Sequence, residues 1–562
     1  MNGTFLQKCG YKKARLIKAV VSLLLCLCLT FLSSCSLITR VIMLQSLKQQ
    51  GYKTEFNIRA NVVDEYNEQT EVTVDGLLDQ IEAYVIKNDS SDGEALVEAY
   101  LQLEEVFYTL SDHCDLLYIE FCLDPKDEEI SLEYERVSGV LTDFYARING
   151  LYDDIYDSVH GDVFFEEWSV EDIEEALYLS KTYTEEFAGI TKERDKYIQL
   201  YEQLGQGSIG FKKKSAEFYE QIVEKNRELA ALAGASGYPE YADRYIYGRD
   251  YSEEEIRSFS DAVKEYIVPL GEELMERLSS FSTSYTLQNE FDALSSYDIS
   301  FSLMKERLAP YYALLGEDFE TEFDAFDDRV FTAKNGQSLP VAFTAYQTSE
   351  GAPLCYFGEG YQTLSTYVHE QGHYLAFCLS NASISSVDLC ETHSQSNEWL
   401  YLSYAEKLYD ADLYKDLTAY YLLNQVLTIT LSTCCDTFER AVYADKTLKA
   451  EDYDGLFIDC VKELGAYDFL YGYMGSNLEN YWHLAVISNS MYYLSYAVSL
   501  IPSIEFYTIA EEQGFEYASA LYYDLCTVEG DAAFHETIVE SGLSSPFEKD
   551  VFKRIYAYFS YK

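Results

Sequence analysis

The sequence predicts a mainly α-helical protein carrying one small β-sheet. Three observations support this: apolar residues recur every three or four positions over long stretches, proline is scarce at 8 in 562 residues, and one region alone alternates as strands do. Hydrophobic residues at 48% and aromatic residues at 15% exclude a disordered chain. No 20 to 50-residue repeat is found, which excludes a solenoid.

From about residue 45 to 280 the pattern is helical almost throughout, as in Val170-Glu171-Asp172-Ile173-Glu174-Glu175-Ala176-Leu177. Gly205-Gln206-Gly207-Ser208-Ile209-Gly210 matches the GxGxxG of a dinucleotide-binding turn, but it follows a helical stretch instead of a strand and reads as an inter-helix loop. The strand pair is Val341 to Tyr346 and Leu354 to Phe357, joined by a turn containing Gly351 and Pro353. Beyond it, Tyr361 to Ser380 has the length and spacing of a helix.

Five basic residues, Lys8, Lys12, Lys13, Arg15 and Lys18, precede the apolar run Ala19 to Leu32, the order of an export signal. The run ends in Leu32-Ser33-Ser34-Cys35, which resembles a bacterial lipoprotein box. Residues 1–34 are thus expected to be a signal peptide and Cys35 the lipidated mature N-terminus, with the body tethered at the outer face of the cell membrane. The alternative is that Ala19 to Ile38 stays as a single membrane anchor. Outside the export segment nine cysteines remain, none in a CxxC pair, and they read as buried thiols more than a disulfide framework. With 96 acidic against 41 basic residues the formal net charge is −55, which opposes contact with nucleic acid.

The predicted helix at 361–380 contains His369-Glu370-Gln371-Gly372-His373, an HExxH motif. Residues four apart share a helix face, so both imidazoles can reach one ion, while Glu370, a step round, can reach a water beside it. A catalytic zinc asks for a third protein ligand. Downstream, Glu391, Ser394, Gln395 and Glu398 fall on one face of a second expected helix, which fits Glu391 as the ligand and Glu398 as a group orienting a metal-bound imidazole. Asp388 and His393 are the rival third ligands.

HEQGH followed by ETHSQSNEW resembles the thimet oligopeptidase and oligoendopeptidase F group of zinc peptidases, whose motifs are HExGH and a later E-x-x-S-x-x-x-E. Lys225 to Ala230 with Gly237-Tyr238, Tyr361 to Thr366, and Gly542 to Pro546 are similar as well, so the likeness runs from about 205 to 560. Residues 45–200 match only as helical, acidic sequence. The resemblance implies a helical, clam-like molecule of two lobes with the small sheet beside the active-site helix, an N-terminal helical region at 35–200 and a catalytic region at 201–562. It implies one zinc per chain, with Glu370 as general base on the zinc-held water and cleavage of internal bonds in short unfolded peptides. It also implies an oxyanion-stabilising His and Tyr group on a late helix, for which His483, Tyr492 and Tyr496 are the candidates. Two features depart from the family: the segment from His373 to Glu391 is short, and Gln371 replaces a usual apolar residue. A non-catalytic peptide-binding lipoprotein and a zinc exopeptidase are the alternatives.

Overall fold

Helical spacing in the sequence becomes buried helix faces in the computed structural model. It describes residues 64 and 66–560, apart from 167, 206–207, 281–293, 295–297 and 334–337. Residues 1–34, expected to be a signal peptide, and Cys35, the expected lipidation site, lie outside the described residues.

The N-terminal part is built from α1 (Glu68–Lys87), α2 (Gly93–Leu123), α3 (Glu128–Tyr156), α4 (Val170–Thr182), α5 (Glu185–Glu202) and α6 (Phe211–Leu232). In α2, Leu96, Tyr100, Leu103, Phe107, Leu110 and Cys114 are all buried, three or four residues apart, and Glu104, Ser111 and Asp112 are buried with them. Ser169 starts α4 with a capping box: its side chain accepts from the Asp172 N–H, and the Asp172 side chain accepts from the Ser169 N–H. Gly205 and residues 208–210, the described part of the GxGxxG segment, lie between α5 and α6, so a helix precedes them.

Among the described residues the sheet has three strands, β1 (Val330–Thr332), β2 (Ala342–Gln347) and β3 (Ala352–Phe357), in the order β1-β3-β2. The foreseen hairpin pairs antiparallel with Thr344 opposite Cys355, and β1 adds parallel to β3 with Val330 opposite Cys355. A strand of three residues is too short to display alternation, so β1 was not foreseen. Tyr118, Phe121 and Cys122 of α2 pack against Phe343, Ala345, Leu354 and Tyr356, so a helix of the N-terminal part covers one face of the sheet.

The site elements follow: α7 (Leu364–Ser380), α8 (Val387–Ala405), α9 (Ala411–Ala444) and α10 (Leu494–Gln513). Helix α8 packs between α7 and α10 and is buried along its whole length. One apolar core runs from Val74 in α1 to Phe559 near the C-terminal end. The nine cysteines among the described residues are free thiols, eight of them buried. Among the described residues no helix is long and apolar enough to cross a membrane.

Candidate metal centre

Thr363 starts α7 by accepting the Thr366 N–H, so the helix begins at Leu364, three residues later than its apolar pattern suggested. It ends at Asn381, whose left-handed backbone (φ 49°) terminates the helix sharply, and Ser386 then caps α8 by accepting the Leu389 N–H. These two caps make the short connection possible. Gly372 lets the helices meet: a Cβ there would lie 2.5 Å from Ser394 Cα and 2.9 Å from the His393 carbonyl oxygen. No side chain fits that gap, so the glycine inside HEQGH brings α7 and α8 into backbone contact.

That contact sets His369 and His373 opposite Glu391. One ligand atom from each of the three lies within 4.8 Å of the others, and among the described residues theirs is the one such group. His369 Nε2 is 3.6 Å from Glu391 Oε2, and the two imidazole rings stand 5.0 Å apart at 82°. His369 Nδ1 lies 2.7 Å from Glu398 Oε1, and Tyr421 donates to Glu398 Oε2 at 2.6 Å. Glu398 thereby occupies Nδ1 and leaves Nε2 facing Glu391, as an orienting carboxylate behind a metal-binding imidazole does.

Electrostatics points the same way. Burial alone would lower the His369 pKa, but the hydrogen bond and charge of Glu398, with the charges of Glu391 and Glu370, raise it to about 9. Burial pushes the Glu391 carboxyl up to about 7 and the Glu370 carboxyl up to about 8, while His373 falls well below its usual value through burial and the neighbouring His369. Glu370 accepts from the Thr344 hydroxyl on Oε2 (2.8 Å), and its buried Oε1 has no partner. Two imidazoles, a ligand carboxylate, an orienting carboxylate and an orphaned buried oxygen fit a zinc ion, whose charge would offset the excess of buried acid.

Of the rival ligands, His393 Nε2 lies 2.9 Å from the Leu525 carbonyl oxygen, and Asp388 accepts from Tyr251 (2.7 Å) beside Arg249. Neither joins the group. Gln395 leaves the face it was expected to share and turns to α10, where it accepts from Ser499 at 2.8 Å.

The oxyanion candidates divide. Both ring nitrogens of His483 are engaged elsewhere, Nδ1 with Ser215 Oγ (2.8 Å) and Nε2 with Asp454 Oδ1 (3.0 Å), and the ring stacks on Trp482 at 3.8 Å. The structure therefore does not bring His483 into the group, and with both nitrogens occupied it has no donor to spare for a substrate. Tyr492 does reach the site, where its hydroxyl donates to Glu391 Oε1. Tyr496 packs edge-on against Tyr492, with ring centroids 5.0 Å apart. Sequence reasoning missed Thr344, Tyr421 and the contact role of Gly372; only the last carried a signal, a glycine inside a helix that costs about 1 kcal/mol relative to alanine.

No protein-family model matches the sequence, and no curated protein matches it. Solved structures do. PZ peptidase A with an inhibitor superposes with a TM-score of 0.69 at 17% identity, covering 91% of this chain and 99% of that one. A Bacillus anthracis str. Ames structure described as an oligoendopeptidase F gives 0.68 at 16%, covering 90% and 99%. The fold is that of oligoendopeptidase F. The same likeness extends to oligoendopeptidase-F from Enterococcus faecium, with a TM-score of 0.59 at 12% identity over 88% of this chain and 96% of that one. Residues 205–560 alone could not supply such coverage, so the oligoendopeptidase F fold includes N-terminal helices whose sequence matched only in being helical and acidic.

Proposed function

We propose that this chain is a zinc-dependent endopeptidase that hydrolyses internal bonds of short, unfolded peptides. The observation that carries the reading is the convergence of His369, His373 and Glu391 beside a buried Glu370 with one unpartnered oxygen. His369 Nε2, His373 and Glu391 would hold one zinc per chain, which supplies a Lewis acid at the scissile carbonyl.

This chain's own groups do the rest. Thr344 holds one oxygen of Glu370, and the free oxygen takes the proton of the attacking water and returns it to the leaving nitrogen. Glu398 fixes the tautomer of His369, and Tyr492 fixes Glu391. Tyr496 is the remaining candidate donor to the developing oxyanion, a role worth on the order of 3 kcal/mol per donor. Strand β2 is one of the two edge strands of the described sheet and the one that touches Glu370, through Thr344, so an extended peptide pairing along it would bring its backbone to the site. Recognition of backbone favours unfolded chains of varied sequence. The peptidases that share the fold support the same substrate class. The basic-then-apolar N-terminus supports export and tethering through Cys35, which the mass of the mature N-terminus would test.

Glu370→Gln tests the reading. The variant should keep its zinc and bind peptide while hydrolysis falls by about 10²-fold or more, because only the proton transfer is removed. Mass spectrometry of products from a mixed peptide library should give internal cuts that chelator abolishes. Full activity in the variant, or a ladder of single-residue products, would overturn the endopeptidase assignment.

A further inference from the structure

Tyr492 is held on Glu391 by an unusual piece of backbone. Three non-glycine residues among the described ones have positive φ: Asn88, Asn381 and Met491. The two asparagines are helix C-caps, a position and residue type that tolerate the left-handed region. Met491, at φ 66°, is neither, and a side chain of its kind persists there only where its surroundings impose the conformation.

Those surroundings are two buried side chains, a carboxyl group and a guanidinium. On one side Glu439, from α9, accepts the Met491 N–H at 2.9 Å. On the other, the Arg249 guanidinium donates through Nη2 to the Met491 carbonyl oxygen (2.9 Å) and to Ser495 Oγ (3.0 Å), and lies 3.5 Å from the Tyr492 carbonyl oxygen. Arg249 is itself fixed from three directions. Its Nη1 donates to Asp243, its Nε stands 3.7 Å from Asp388, one turn before Glu391 on α8, and its guanidinium lies over the Tyr247 ring at 4.7 Å. Tyr247 in turn donates to the Ser490 carbonyl oxygen at 2.5 Å. Burying an arginine and acidic groups is costly, and apolar packing would stabilise a plain turn at least as well. What this arrangement adds is a fixed path from α8 and α9 to the backbone of the residue that touches Glu391.

We propose that Glu439 and Arg249 are positioning residues for Tyr492: they hold the Met491 peptide in its left-handed conformation, which keeps the Tyr492 hydroxyl on the Glu391 carboxylate and so fixes that carboxylate for a metal ion. The proposal rests on the reading of His369, His373 and Glu391 as a zinc site. Neither residue touches substrate; both act through Tyr492.

The test measures zinc affinity by chelator competition alongside kcat/KM on a peptide. Glu439→Met, which removes the acceptor at similar length, should weaken zinc binding by about 10-fold or more, the loss typical when a partner of a metal ligand is removed. Glu439→Gln, whose amide oxygen still accepts the Met491 N–H, should retain it. Adding Met491→Gly to Glu439→Met should recover most of the loss, because glycine holds a positive φ without being clamped. In a Tyr492→Phe background, Glu439→Met should change zinc affinity no further. A purely structural role would give neither the glycine rescue nor the dependence on Tyr492. Should Glu439→Met not fold, Arg249→Lys, which keeps the charge but not the fork, carries the same comparison. Wild-type zinc affinity in the folded variants, or failure of the glycine to rescue them, overturns the clamp. A wild-type chain that binds zinc but cleaves no peptide sinks the peptidase reading while leaving the affinity measurements decisive, and one that binds no zinc overturns both.

Discussion

The pockets around His369 and His483 are built from the same parts and end differently. Each holds a buried histidine against a carboxylate, Glu398 at 2.7 Å in one and Asp454 at 3.0 Å in the other. In the first, the carboxylate takes one ring nitrogen and the second stays open toward Glu391. In the second, Ser215 takes the remaining nitrogen, Trp482 shares Asp454 through its Nε1–H, and the ring is closed into a local lock. A histidine bonded to a carboxylate is therefore weak evidence of a metal site; the decisive feature is a nitrogen left over and a second ligand facing it.

The largest expected effect tests the leftover nitrogen's partner. Glu391→Ala should abolish zinc binding at micromolar metal, whereas His393→Ala, whose ring faces the Leu525 carbonyl, should leave it intact. Metal analysis after dialysis decides it, and the reverse pattern would move the ligand. A smaller effect separates the two carboxylates behind the histidines. Glu398→Gln should weaken zinc binding by roughly 10 to 100-fold. Asp454→Asn should not touch zinc and should cost about 1 kcal/mol of stability at most, as loss of a half-exposed hydrogen-bonding group does. Loss of zinc in Asp454→Asn would show that the two pockets are coupled.

The smallest effect compares Glu370, whose carboxyl a metal can neutralise, with Glu202, which has no such neighbour. Burial pushes the Glu202 carboxyl up to about 8, so it holds its proton more tightly folded than unfolded. Stability must then fall as pH rises from the ordinary carboxyl range toward 8, the opposite of an ion-paired acid. Thermal melts should give a lower Tm at pH 8.5 than at pH 5.5, and Glu202→Gln should recover about 1–2 °C at the higher pH only. Equal gains at both pH values would place the effect in packing.

What the sequence disclosed about this site follows the range of the physics. His369, Glu370 and His373 were legible because helix geometry alone puts them together, and Glu391 with Glu398 because residues two turns apart share one face of a second helix. Thr344 and Tyr421 were not, since each meets its partner only through tertiary packing and neither belongs to a local pattern. His483 was placed by resemblance, from its position along the chain, and its pairing with Ser215 on α6, 268 residues away, cannot be read from that. The helical fold was legible throughout from apolar periodicity, while β1 was lost because three residues carry no period.

Gly372 bears on how such a site tolerates change elsewhere. Because α7 and α8 touch backbone to backbone there, the spacing between the histidines and Glu391 is gauged by main-chain atoms, whose size no substitution alters. Core volume can then drift in the surrounding helices without being transmitted to the ligands. A chain only 12 to 17% identical to its structural neighbours can thus repack much of its interior without shifting His369 and His373 relative to Glu391, insulated from that repacking by the absence of a single methyl group.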